Sequence, residues 1–180
     1  MAPEQIISIV SAVTSVAAII IALTTAMIQK RQSDLTMQVT VLRDFVREFF
    51  HDTHIRRIRY VSSQYGLNKT EISEPPVEVF DLLDFFDTLA IYHNKKAIDS
   101  EMAWTTFYYW ASHYYDAFEE DVVNYHKVTG LDMYRNLHNM IPTWRNMGVR
   151  LNRVPKNHIT STHLKEFFED EIATCKDQAP

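Results

Sequence analysis

The sequence predicts an all-α chain in which one N-terminal membrane-spanning helix is followed by a cytosolic helical bundle. Three observations carry that reading. Residues 6–28, IISIVSAVTSVAAIIIALTTAMI, contain no charge, proline, glycine or amide side chain. After them, apolar residues recur at spacings of three and four, the period of a helix with one buried face. The 180 residues hold only 3 Gly and 6 Pro, too few for a turn-rich β architecture.

At about 1.5 Å rise per residue, a helix over 6–28 reaches about 34 Å, slightly more than the roughly 30 Å hydrocarbon core of a bilayer. A secretory signal peptide has a basic start and an apolar core of about 7–15 residues, whereas here Glu4 precedes a longer run. The expectation is a retained anchor: residues 1–29 form the tail and transmembrane helix, and residues 30–180 form one helical domain. Lys30 and Arg31 follow the run at once. Basic residues stay on the cytoplasmic side, which places the N-terminus outside and the domain in the cytoplasm.

Within the span, Ser8, Ser11, Ser15, Ala18, Ala22, Thr25 and Gln29 alternate at spacings of three and four, with larger aliphatic residues such as Val13, Ile20 and Leu23 opposite. Small residues allow close backbone approach in a bilayer, and a 3.5-residue repeat implies left-handed packing about a common axis. Three readings are open: hydroxyls bonded to their own helix carbonyls, a helix-packing seam, or the lining of a water-filled pore.

From Gln29 to about Tyr65 no Gly or Pro intervenes, and Leu35, Val39, Leu42, Val46 and Phe49 keep helical spacing, so the anchor is expected to run on into the cytosol. Arg56, Arg57 and Arg59 form a basic cluster beside His51 and His54, read as a solvated or intersubunit face, or as a contact for RNA phosphate or lipid headgroups. Gly66 is the expected left-handed end of that helix, with LNKTEISEPP as a loop. Pro75 and Pro76, with Ser73 as a cap, open a helix to about His93. Its apolar side is Phe80, Leu83, Phe86, Leu89 and Ala90; Glu78, Asp81, Asp84 and Asp87 recur beside it and read as a solvated edge rather than a cation site. Asp99 or Ser100 caps the next helix, whose Trp104, Phe107, Tyr108, Trp110, Tyr114 and Phe118 read as core, since cations suited to nucleic-acid stacking are absent between them. A helix from about Leu131 meets Pro142 midway, where a kink or break is expected, and a last helix covers about 160–174.

Net charge is −5, which offers no general attraction for nucleic acid, and one Cys, Cys175, forms no internal disulfide. The chain lacks a Walker loop, GxSxG, HExxH and any Cys pair. No cofactor, metal or small-molecule substrate is expected. One spacing invites chemistry: Arg153 and His158 enclose four residues, with Val154 and Pro155 inside.

That pair resembles the R-x4-6-H motif of HEPN domains, helical bundles that include RNA-cleaving toxins. Val154 departs from the polar residue usual there, and Pro155 disturbs the helix that normally displays the pair. The resemblance implies an acid–base role for His158 and a phosphate-stabilising role for Arg153, each catalytic only if the chain is a ribonuclease. The span, the domain of about 150 residues and the segment FDLLDFFDTLAIYHNKKAIDSEMAWTTFYYW together resemble the accessory membrane proteins of type VI-B, RNA-targeting CRISPR systems. That resemblance implies a divergent HEPN-like bundle in the bacterial inner membrane, assembled as a cyclic homo-oligomer into a pore that strengthens antiviral defence, with an RNA-guided effector and its RNA as partners. A membrane-tethered ribonuclease and a non-catalytic membrane adaptor are the rival expectations.

Overall fold

The computed structural model describes residues 3–69, 74–153 and 159–178, and for residues 3–14 and 16 the backbone only. Six helices follow one another: α1 (Pro3–His51), α2 (Thr53–Leu67), α3 (Val77–Asn94), α4 (Ser100–Thr129), α5 (Arg135–Arg150) and α6 (Ser161–Cys175), with a 3-10 turn at Lys176–Gln178. Among the described residues there is no strand, so the fold is all-α. Two compact units are distinguished, Met1–Thr40 and Val41–Pro180.

The first unit is a single stretch of helix. Its described side chains from residue 17 to residue 37 are all exposed, including Ile19, Ile20, Ile21, Leu23, Met27 and Ile28. Thr24 returns its hydroxyl to the carbonyls of Ile20 and Ile21, 2.9 Å from each. Among the described residues no helix is long and apolar enough to cross a membrane. Of the apolar run at 6–28, the side chains described are Ser15 and residues 17–28.

The second unit is the bundle. α1 does not continue to Tyr65: it ends at His51, and Asp52 (φ −73°, ψ 128°) starts α2 by accepting from the amides of His54 and Ile55 at 2.8 and 3.2 Å. A side-chain cap interrupts the helix without Gly or Pro, because it satisfies the first amides of a new one. α2 then packs on α3 and α6, and α3 on α5.

Gly66 lies inside α2 rather than at a left-handed end, and its role is space. A Cβ there would sit 2.3 Å from the Phe168 ring tip. Phe168 is itself buried against Phe118 and Phe167, so the ring has nowhere to swing. Gly66→Ala is expected to cost about 1–3 kcal/mol by overpacking, read as a lowered urea midpoint with α-helical circular dichroism retained.

The left-handed end belongs to Gly130, φ 71°, which closes α4 by donating to the His126 carbonyl at 2.7 Å. Asp99 caps the start of α4 as expected, accepting from the Met102 amide at 2.8 Å. α3 begins at Val77 with Pro76 as its flanking residue and no side-chain cap; Ser73 lies outside the described residues. α5 begins at Arg135 rather than near Leu131, behind a buried Tyr134 in a left-handed conformation (φ 59°). Pro142 breaks nothing: it sits exposed, away from the buried Ile141 and Trp144, within uninterrupted α5. The core is aromatic, with Phe49, Phe86, Phe107, Tyr114, Phe118, Trp144 and Phe167 fully buried.

Candidate functional site

Arginine chemistry divides the bundle into a closed polar core and an open acidic groove. The core belongs to Arg59. Its Nε and Nη2 donate to Glu171 Oε2 and Oε1, both at 2.9 Å, and Nη1 donates to the Phe49 carbonyl at 2.9 Å. The guanidinium carbon also lies 4.2 Å from the Phe49 ring centroid. Glu171 accepts further from Trp110 Nε1 at 2.9 Å and from the Tyr114 hydroxyl at 2.8 Å, and Ser63 closes the network on Tyr114 at 3.0 Å. A planar fork on a carboxylate, with other donors on the remaining lone pairs, is the arrangement in which a buried ion pair is fully satisfied. Burial and the Glu171 charge drive the Tyr114 hydroxyl well above its ordinary pKa, so it remains a donor.

Arg59 is therefore removed from the expected surface cluster, because the Phe49 carbonyl on α1 and the Glu171 carboxylate on α6 hold its guanidinium inside the bundle. Arg56 donates to the Thr174 carbonyl at 3.1 Å, at the end of α6. Arg57 alone of the three is exposed. Spacing along α2 placed the three together; the facing helices, invisible in local pattern, separate them.

The groove, about 580 Å³, opens between the end of α1, α2 and α3. Its walls are apolar and aromatic: Phe45 meets Phe85 and Tyr92 edge-on with centroids 5.6 and 5.4 Å apart, and Ile55 and Ile58 lie behind. Asp44, Glu48, Asp81 and Asp84 line it, with His54. Arg47 pairs with Asp44 at 3.5 Å; among the described residues Glu48, Asp81 and Asp84 make no ion pair. Partial burial first, then the charge of Asp52, pushes the Glu48 carboxyl up. Partial burial, then Asp81 and Asp87, does the same to Asp84.

A carboxyl whose folded pKa exceeds its unfolded value binds more protons when folded, so stability falls as pH rises through that interval. Asp84→Asn is thus expected to gain stability at neutral pH, with the gain vanishing below the ordinary Asp value near pH 4. Chemical unfolding of both proteins across pH 4–8 checks the sign.

The acidic row of α3 splits between two faces. Asp81 and Asp84 line the groove, Asp84 with the Tyr134 hydroxyl also beside it, while Asp87 accepts from the Leu137 amide at 2.8 Å and from Asn136 Nδ2 at 3.1 Å, holding the start of α5. Among the described residues no cluster of His, Cys, Asp and Glu has the makings of a metal site.

Of the seam, Ser15, Ala18, Ala22, Thr25 and Gln29 are exposed along α1, and the side chains of Ser8 and Ser11 lie outside the described residues. Arg153 follows α5, exposed, its amide bonded to the Gly148 carbonyl at 3.0 Å; His158 lies outside the described residues. Sequence reasoning missed the groove and Glu171. The groove had a signal: Asp44 and Glu48, then Asp81 and Asp84, stack like charges one turn apart, which an isolated helix disfavours. Glu171 had none, sitting among other acids in α6.

No family model matches the chain, and neither the curated proteins nor the solved structures contain a match.

Proposed function

We propose that this protein is a membrane-anchored helical bundle that assembles as a cyclic homo-oligomer and permeabilises the bacterial inner membrane, in antiviral defence linked to an RNA-targeting CRISPR effector. The carrying observation is α1: 49 residues of helix whose side chains at 17–37 are all exposed. Ile19, Ile20, Ile21, Leu23, Met27 and Ile28 are each more than half exposed. An exposed apolar helix surface such as that over 17–28 calls for lipid or other helices around it. In sequence it continues the uncharged run from residue 6, which has the length of a bilayer core. In this reading the seam through Ser15, Ala18, Ala22 and Thr25 faces the common axis, and the defence role comes from the resemblance of the layout.

The test is dye release from liposomes by the purified full-length protein, beside Ala17→Arg at the middle of the run. A charge at the centre of a span costs about 2.5–3.5 kcal/mol, roughly a hundredfold in insertion. Wild type is expected to sediment with membranes and release dye, and the variant to lose both. A wild-type protein that stays monomeric and releases nothing would sink the reading.

A further inference from the structure

We infer that the acidic groove between α1, α2 and α3 receives Arg150 and Arg153 of a second copy of this chain, forming the repeated contact between neighbouring subunits. The inference rests on the homo-oligomer reading and gives it a specific interface.

The groove has the chemistry of an arginine receptor. Glu48, Asp81 and Asp84 carry no ion pair among the described residues, and they stand at the rim of a cleft walled by Phe45, Phe85 and Tyr92. A guanidinium suits such a place better than an ammonium: its plane stacks on an aromatic ring while its edge donates to two carboxylate oxygens. This chain shows what that coordination looks like, since Arg59 lies over Phe49 and forks onto Glu171 inside the core. The groove offers the same pair of elements, ring and carboxylate. Partial burial shifts both carboxyls, Glu48 and Asp84, toward the protonated form, with the charge of Asp52 added at Glu48 and those of Asp81 and Asp87 at Asp84, and an incoming cation relieves both.

The cations are found on the same chain, and they cannot reach their own groove. Arg150 ends α5, Arg153 follows it, and both are exposed without an ion pair among the described residues. α3 stands between. It turns Asp81, Asp84, Thr88 and Tyr92 to the groove, and on its other side Asp87 holds Leu137 while His93 accepts from Trp144 Nε1 at 3.3 Å. α5 therefore packs on the side of α3 that carries Asp87 and His93. The acids of the groove, of which only Asp44 has an ion-pair partner among the described residues, and the exposed arginines beyond α5 are complementary between copies rather than within one. A contact joining two different patches is heterologous, and it closes into a ring when the rotation allows.

The experiment uses the full-length protein in detergent, with mass by light scattering over a concentration series, and two double variants at exposed positions. Glu48→Lys with Asp84→Lys reverses the groove; Arg150→Glu with Arg153→Glu reverses the donor. Each alone is expected to raise the midpoint of association at least tenfold, with α-helical circular dichroism unchanged. Mixing the two variants is expected to restore association, because reversed groove then meets reversed donor and native meets native in alternation. That rescue excludes misfolding as the cause of the loss. Unchanged assembly in both variants, or loss without rescue in the mixture, overturns the inference; unchanged assembly in variants that still release dye leaves the membrane reading standing. A wild-type protein that is monomeric and releases nothing removes both.

Discussion

Glu171→Ala is expected to lower the stability of the bundle by about 3–5 kcal/mol, the largest loss from any single exchange of a polar residue here. The carboxylate is 5% exposed and receives Arg59 twice, Trp110 and Tyr114. Its removal leaves a guanidinium 2% exposed with only the Phe49 carbonyl as an acceptor, the Trp110 indole N–H without its acceptor, and the Tyr114 hydroxyl with Ser63 alone. Leaving a buried charge unpaired costs far more than the net worth of the pair. The contrast is the replacement of both partners, Arg59→Met with Glu171→Leu, which is expected to cost markedly less than Glu171→Ala alone. Urea unfolding of the three proteins measures this. If Glu171→Ala shifts the midpoint no more than an exposed substitution does, the network contributes nothing to stability.

Phe49→Ala is expected to cost a comparable 3–5 kcal/mol, for a different reason. The ring is fully buried, and Phe50, Phe85, Phe86, Phe107 and Trp110 surround it with centroids 5.0–5.6 Å away. A close-packed cage of rings cannot collapse into the vacated space, so the cavity persists and its cost adds to the lost transfer energy. The same ring covers the Arg59 guanidinium at 4.2 Å, so truncation also removes a cation–π partner. Phe49→Ala and Glu171→Ala share that arginine, and a double-mutant cycle should show a coupling of about 0.5–3 kcal/mol. Strict additivity would show that Phe49 packs without touching the energetics of the charge. Phe50→Ala, at a half-buried neighbour, provides the milder comparison.

Most of the helices were legible because each carries its own boundary chemistry. Asp99 caps α4 by a bond that needs only local chain, and the apolar spacing of Leu83, Phe86, Leu89 and Ala90 marks the buried side of α3 without reference to a partner. Errors arose where one residue type serves two purposes. Glycine marks helix ends when it supplies a positive φ, as Gly130 does, and marks close packing when a ring lies against it, as at Gly66. Asp52, an ordinary acid in a charged stretch, carries no pattern that distinguishes a cap from a surface residue. The candidate groove was partly legible as stacked like charges, but its cavity needs three helices to be placed.

The amino-acid sequence by itself determined the helical class, the uncharged run at 6–28 and the aromatic content of the core, since each depends on composition and on a period read along one segment. Only the tertiary structure decided which arginine is buried, which acids share a groove and what Gly66 is for. Arg56, Arg57 and Arg59 are alike in sequence, and Glu171 lies 112 positions from its partner. Charge pairing and steric fit are properties of distance in space, and helices that meet face to face bring together residues that no local period connects.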